Sequence, residues 1–440
     1  MKRRKFIKNL GLGTAATIGV PYLLPSGRLF AATGYRRANH VVFCLFAGGV
    51  RNLESVHKSH GNLMPRTLKG EETRTLLGID SINNDEINGP TLQEQGTLYK
   101  EFRFKQGSTG HYGAHATAMT GVYTGNVNIN ANPENPTIFE LYRKHNSPSM
   151  SAKNAWWVSD SEGLYANLNY SSHPGYGANY GANYVRPSSF TDGLGHDSLG
   201  DPKEYDPEVV EKIKSIRGFC DANFSPQYSG VANSIVHDEA DKIEIENFIN
   251  ECMDEANMGG FSNPSAWNWD LPSSSFNGDM KAVHFAEKII TEFQPELLVV
   301  NMHTADIAHS DFTKYANNLH KMDYALAHLW NHIQETPDMK NDTILIAMPE
   351  HGRNIEGNGI VDTVNPDQQA LDHTHKAGSR EIFALVVGPS GKVVHGQDFL
   401  VEKGESIDIV PTIANILGFD NEIPGYLRQR MGEVLAESFY

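Results

Sequence analysis

Short apolar runs bounded by turn residues punctuate the chain: HVVFCLF (40–46), AWWVS (155–159), ELLVVNM (296–302), TILIAM (343–348) and IFALVVG (382–388). Their hydrophobicity is continuous rather than alternating, which means burial on both faces, as in strands of a sheet covered by helices. Segments of helical period lie between them. From 312 to 334, Phe312, Tyr315, Leu319, Met322, Leu326, Leu329 and Ile333 recur at three- and four-residue steps and draw one apolar face along a long helix. SIDIVPTIANILGF (406–419) predicts a shorter helix stopped by Gly418, and DKIEIENFINECMDEAN (241–257) predicts another. Strands alternating with helices predict an α/β fold with a largely parallel sheet.

Residues 160–280 have a different texture. This region is rich in Gly, Asn, Tyr and Ser, contains the tandem GANYGANY (177–184), and continues into PSAWNWDLPSSSFNGD (264–279). Loop-like sequence of this kind predicts an insertion or cap, within a domain of residues 33–440. Exposed Tyr, Trp and Asn would suit a glycan or a partner protein; loops packed on the sheet would have the same composition.

Charge narrows the partners. The 440 residues carry a formal net charge of -16, and the mature part lacks the clustered Lys and Arg that nucleic-acid phosphates require. Small molecules, metal ions and proteins remain, and the pattern carries no signal for oligomeric state. The basic residues gather at the start, where MKRRKFIKNL precedes GLGTAATIGVPYLLP and SGRLFAAT, the layout of an export signal over residues 1–32 with a cut after Ala31 or Ala32. Arg3-Arg4 followed by Lys5, Phe6, Ile7 and Lys8 resembles a twin-arginine signal, whose pathway carries folded proteins, and implies a periplasmic or otherwise exported location. The apolar run is shorter than the ~20 residues of a membrane span and contains Gly and Pro, so no stable span is expected after its removal. Three cysteines are too few for a disulfide framework: Cys44 reads as a buried small hydrophobe, and a Cys220–Cys252 pair in an oxidising compartment stays open.

Ligands of parallel sheets gather at the carboxyl ends of the strands. His303, Asp306 and His309 follow ELLVVNM, Glu350 and His351 follow TILIAM, and Asp372, His373 and His375 precede IFALVVG. Imidazoles with carboxylates are the donor mixture that Zn²⁺ and similar divalent ions prefer, which points to a metal cofactor of one or two ions.

Four stretches in order along the chain resemble the alkaline phosphatase superfamily, which includes sulfatases. They are GGVRN (48–52), HATAMTGVYTGN (115–126), DIAHSDF through MPEHGR (306–353) and DIVPTIANILGF (408–419). The resemblance implies an alkaline-phosphatase-like three-layer sandwich, mostly parallel, and two ions about 4 Å apart that clamp a phosphate or sulfate ester. It places Asp306, His309 and His373 or His375 at one ion, and Glu350 and His351, in place of an Asp-His pair, at the other. Three positions depart from the family. Gly48 and Gly49 stand where it has an aspartate at the end of the first strand, with Glu54 the nearest carboxylate. His111 stands at the nucleophile position, with Ser108 and Thr109 just before it at a predicted helix start that would favour an oxyanion. Asp306 and His309 are one residue closer together than is usual.

Two readings follow. One is an exported metal-dependent hydrolase of small anionic esters, with Thr109, Ser108 or a metal-bound water as nucleophile, His111 moving protons and Arg353 steadying an anionic oxygen. The other is a non-catalytic binding or assembly protein on the same fold, whose Gly/Tyr/Asn-rich cap holds a glycan or a protein. A purely structural ion would instead be closed by four protein ligands.

Overall fold

The computed structural model of the protein describes residues 35–71, 74–80, 89–125, 131–146, 152–159, 168–187, 239–257, 267, 275–374 and 376–440. The segment read as an export signal, Cys220, His375 and much of 160–280 lie outside the described residues. Every apolar run forms a strand: β1 (His40–Phe46), β3 (Ala155–Ser159), β5 (Leu297–Met302), β6 (Thr343–Pro349) and β7 (Glu381–Val387). To these are added β2 (Gly96–Arg103), the three-residue β4 (Asn183–Val185) and β8 (Gln397–Glu405).

One eight-stranded sheet runs in the order β4-β3-β5-β1-β6-β7-β2-β8. The β4 to β6 half is parallel, with Val41 of β1 opposite both Leu297 of β5 and Ile344 of β6. β7 runs antiparallel to both its neighbours, and β2 pairs parallel with β8. β1 is buried on both faces because helices cover both. Val42, Cys44 and Phe46 pack with α3 (Glu239–Asn257), α4 (Gly278–Phe293) and α5 (Phe312–Glu335). Val41, Phe43 and Leu45 face α1 (His111–Thr120), α2 (Ile138–His145) and α7 (Ile409–Leu417). This is the expected mostly parallel α/β architecture.

The helices begin and stop for local reasons. Asp311 caps α5 by accepting a hydrogen bond from the Lys314 N–H at 2.8 Å, and the seven apolar residues of its predicted face are all buried. Gly418 ends α7 in the left-handed region at φ 79°, where glycine carries no Cβ penalty. The described part of the region read as a cap is woven into the fold. β4 extends the sheet edge, and Phe248 of α3 meets the rings of Trp156 and Phe293. Cys44 is buried in β1 as expected, and Cys252 is buried on α3.

Candidate metal centre

The parallel half of the sheet sends its carboxyl ends to one place. Beyond β5 a 3-10 turn (Thr304–His309) carries Asp306 and His309. The buried Asp279 at the start of α4 holds this turn, accepting from the N–H groups of His303 at 2.7 Å and Thr304 at 3.1 Å and from the Thr304 hydroxyl. β6 runs directly into Glu350 and His351, α1 begins at His111, and His373 lies in the loop before the short helix α6 (Ala377–Arg380).

His111, Asp306, His309 and His373 each offer a donor atom, all within 4.8 Å of one another, and His111, Glu350 and His351 form a second such group. Around Asp306 Oδ1, His111 Nε2 stands at 3.1 Å and His309 Nε2 at 3.4 Å, and the Arg353 guanidinium donates at 2.8 Å. The opposite ring nitrogen of each imidazole is held by an acceptor. His111 Nδ1 lies 2.7 Å from Glu350 Oε1, His309 Nδ1 lies 2.7 Å from Asp372 Oδ1, and His373 Nδ1 lies 2.7 Å from the Thr109 carbonyl. Such anchoring fixes the tautomer and turns the remaining nitrogen toward an ion.

The two groups differ in access. The side chains of Asp306 and His309 are 35% and 38% exposed, so the outer group opens to solvent. Glu350 and His351 are fully buried. Oε1 of Glu350 also accepts from the Gly48 N–H at 2.6 Å, and Oε2 is in ion-pair contact with His115 Nδ1. His115 Nε2 lies 3.0 Å from Asn301 Oδ1, and Asn301 in turn donates to Ser159 Oγ at 3.0 Å. His351 Nε2 is 3.1 Å from Glu350 Oε1 and, among the described residues, has no hydrogen-bond partner.

Electrostatics keep the donors in usable forms. Burial pushes the Asp306 carboxyl up, but the hydrogen bond and positive field of His111, with Arg353 and His309, outweigh it and hold the group well below the usual carboxylate range. Burial likewise works against a charged Glu350, and His115, His111 and His351 overcome it. Burial, with His351, Arg353 and His111 nearby, lowers the His373 imidazole to about 2, so it is neutral with a lone pair to give. Imidazoles and ionised carboxylates with opposite ends anchored fit a divalent ion.

The structure gives the remaining expected residues definite places. Thr109 is buried, and its hydroxyl donates to the His373 carbonyl at 2.7 Å, so strand-end loop and helix start are tied together. Ser108 Oγ is half-buried and accepts from the Gly110 N–H at 3.1 Å. Glu54 binds Arg51 at 2.8 Å and Arg74 at 2.8 Å and contributes to neither group. Arg353 is fully buried, donating to the carbonyls of Gly48 at 2.8 Å and Leu371 at 2.7 Å as well as to Asp306. His303 belongs to neither group among the described residues. Asp372 was visible as the neighbour of His373, but its role as anchor of His309 was not, since that pairing spans a loop the sequence leaves undrawn. Asn301, behind His115, carried no signal at all.

No protein-family model matches the chain, and no curated protein matches it in sequence. Solved structures do. A mutant form of the alkaline phosphatase PafA aligns over 93% of this chain and 100% of its own, at 10% identity and a TM-score of 0.50. The PsFucS1 sulfatase from Pseudoalteromonas sp. aligns over 91% and 76%, at 12% identity and 0.45. A protein of the alkaline phosphatase superfamily from Vibrio parahaemolyticus aligns over 96% and 79%, at 13% identity and 0.40. The fold is that of alkaline phosphatase.

Proposed function

We propose that this chain, on its alkaline-phosphatase-like fold, is an exported metal-dependent hydrolase of small phosphate or sulfate esters with an altered site. One observation carries the reading: three imidazoles, each anchored by an acceptor on Nδ1, converge with Asp306 at the open carboxyl end of a parallel sheet. Asp306, His309, His373 and His111 would hold the ion, with Glu350 and His351 behind them. A bound divalent ion would supply a water of lowered pKa and positive charge for the ester oxygens.

The chain's own groups do the rest. Arg353 fixes Asp306 in place, and its buried charge favours an anionic ligand at the mouth. The hydroxyl of Ser108, at the start of α1, is the side-chain nucleophile this reading favours over Thr109, whose hydroxyl is engaged with His373. PafA and PsFucS1 are named as a phosphatase and a sulfatase, which agrees with this substrate class. The signal at residues 1–32 would carry the folded chain out by the twin-arginine route. Among the described residues no helix is long and apolar enough to cross a membrane.

Thr109 also motivates the second reading, a binding protein that has lost catalysis, because the hydroxyl nearest the nucleophile position is buried and bonded. Purified full-length protein loaded with Zn²⁺ separates the two. Hydrolysis of p-nitrophenyl phosphate or sulfate is expected, abolished by chelator and reduced at least ~100-fold in Asp306→Ala, beyond what loss of a supporting group produces. Bound metal with no turnover of either ester would favour the binding protein; no bound metal would end the hydrolase reading.

A further inference from the structure

Two donor groups share His111, and one imidazole cannot serve both in the same way. Its Nδ1 is engaged with Glu350 at 2.7 Å, while its Nε2 stands 3.1 Å from Asp306 Oδ1. Donor atoms around a tetrahedral ion with bonds near 2.0–2.1 Å lie about 3.3 Å apart. The observed 3.1 Å from His111 and 3.4 Å from His309 to Asp306 bracket that spacing.

The inner group has different geometry. Glu350 Oε1 already receives the Gly48 N–H at 2.6 Å and His111 Nδ1. Next to it, a Cβ on Gly49 would lie 2.4 Å from Nδ1 of the His351 ring and 2.9 Å from the His351 carbonyl oxygen, so His351 itself fills the space that a carboxylate-bearing residue would need. The Arg353 guanidinium spans from the Gly48 carbonyl to Asp306, putting a fixed positive charge on that side. Among the described residues His351 Nε2 and Glu350 Oε2 are the atoms of the inner group without a hydrogen-bond partner, and Oε2 is held in ion-pair contact with His115 Nδ1, so a second ion would have to displace present partners to complete its ligands.

We infer that the centre holds one divalent ion, bound by His111, His309 and His373 through Nε2 and by Asp306, with His111 a ligand and Glu350 a positioning residue that orients it. The inference rests on the metal reading above and specifies its stoichiometry and ligands. Four protein ligands would close a tetrahedral site of the structural kind, so the hydrolase reading requires the ion to expand to five-coordinate, taking water or an anion on the side where His309 and Asp306 are more than a third exposed.

The test uses the full-length protein, stripped and reloaded with Zn²⁺ or Co²⁺. Elemental analysis is expected to give one ion per chain. In the Co²⁺ form, His111→Ala is expected to change the visible absorption bands and weaken binding by at least ~100-fold. Glu350→Gln is expected to keep band positions while weakening binding roughly 10–100-fold, as outer-shell losses do. Inorganic phosphate is expected to shift the wild-type bands. Urea unfolding of each stripped variant verifies that it is folded. Two ions per chain, or an unchanged Co²⁺ spectrum in His111→Ala, would overturn the single-ion centre and leave the hydrolase reading standing. A spectrum changed by Glu350→Gln as much as by His111→Ala would make Glu350 a ligand and overturn the assignment. No ion under any loading would remove both.

Discussion

Gly48 is the residue at which main chain presses closest on the candidate metal centre. At φ 83° it lies in the left-handed region, and a Cβ there would stand 2.3 Å from the Asp306 N–H nitrogen. Its carbonyl and N–H instead bind Arg353 and Glu350, so main chain does the work a side chain would do elsewhere. Gly48→Ala is expected to cost roughly 2–4 kcal/mol, from positive φ and from overpacking, measured by urea unfolding. Gly48→Asp is expected to be no better, because any side chain at this position meets the same main chain of Ala305 and Asp306. The sequence displayed the residue types of the site because His, Asp and Glu at strand ends are conspicuous. It concealed which nitrogen of each imidazole points where, since that depends on Asp372, the Thr109 carbonyl and Glu350, partners set by loop paths. It likewise concealed that Arg353 is buried against Asp306.

Among the elements, the 3-10 turn after β5 carries two donors and is only six residues long, so its position depends on what holds it. Asp279 accepts from the N–H of His303 and from the N–H and hydroxyl of Thr304, and Asn318 Nδ2 donates to the Thr304 carbonyl at 2.6 Å. Asp279→Ala is expected to lower stability by roughly 2–4 kcal/mol through buried donors left unpaired. It should also weaken Zn²⁺ binding about tenfold, as read by competition with a chromophoric chelator. Elements buried on both faces were legible: β1, β3, β5, β6 and β7 fall where continuous apolar runs predicted them. β2 and β8 were not, because half-buried charged residues interrupt the apolar run of β2 and β8 lies half exposed at the sheet edge. GTLYKEFR mixes Lys100, Glu101 and Arg103 with its apolar residues, and Arg103 pairs with Glu101 at 2.8 Å; β8 exposes Leu400 and Val401 at the sheet edge. The direction of β7 is a property of its connections, and no local period encodes it.

Over the whole molecule, stability against pH also reflects buried groups that belong to neither donor group. Burial, with Arg66 nearby, lowers His320 to about 4, so the native state resists a proton that the unfolded chain accepts below pH ~6.5. This stability is present at neutral pH and is lost as pH falls from 6.5 toward 4. Burial raises Asp408 to about 6, against the N–H groups of Glu433 and Glu405 that favour its charge. Its contribution has the opposite sign: present below the unfolded value near 3.9 and lost as pH rises through 6. Each amounts to roughly 3 kcal/mol, and over pH 4–6 they oppose one another. Relative to wild type, Asp408→Asn is therefore expected to lose less stability on going from pH 4 to pH 7. His320→Gln is expected to lose less on going from pH 7 to pH 4, both followed by urea midpoints across the range.

β1 is an interior strand of the parallel half, yet both its neighbours, β5 from Leu297 and β6 from Thr343, come far later in the chain. On a ribosome adding about 5–20 residues per second, HVVFCLF waits roughly 13–50 s for its first partner to be made. During that interval a seven-residue strand, apolar from Val41 to Phe46, has both hydrogen-bonding edges open, the condition under which nascent chains stick to one another. The topology that gathers the site's residues thus makes the newborn chain dependent on being shielded until its second half has emerged.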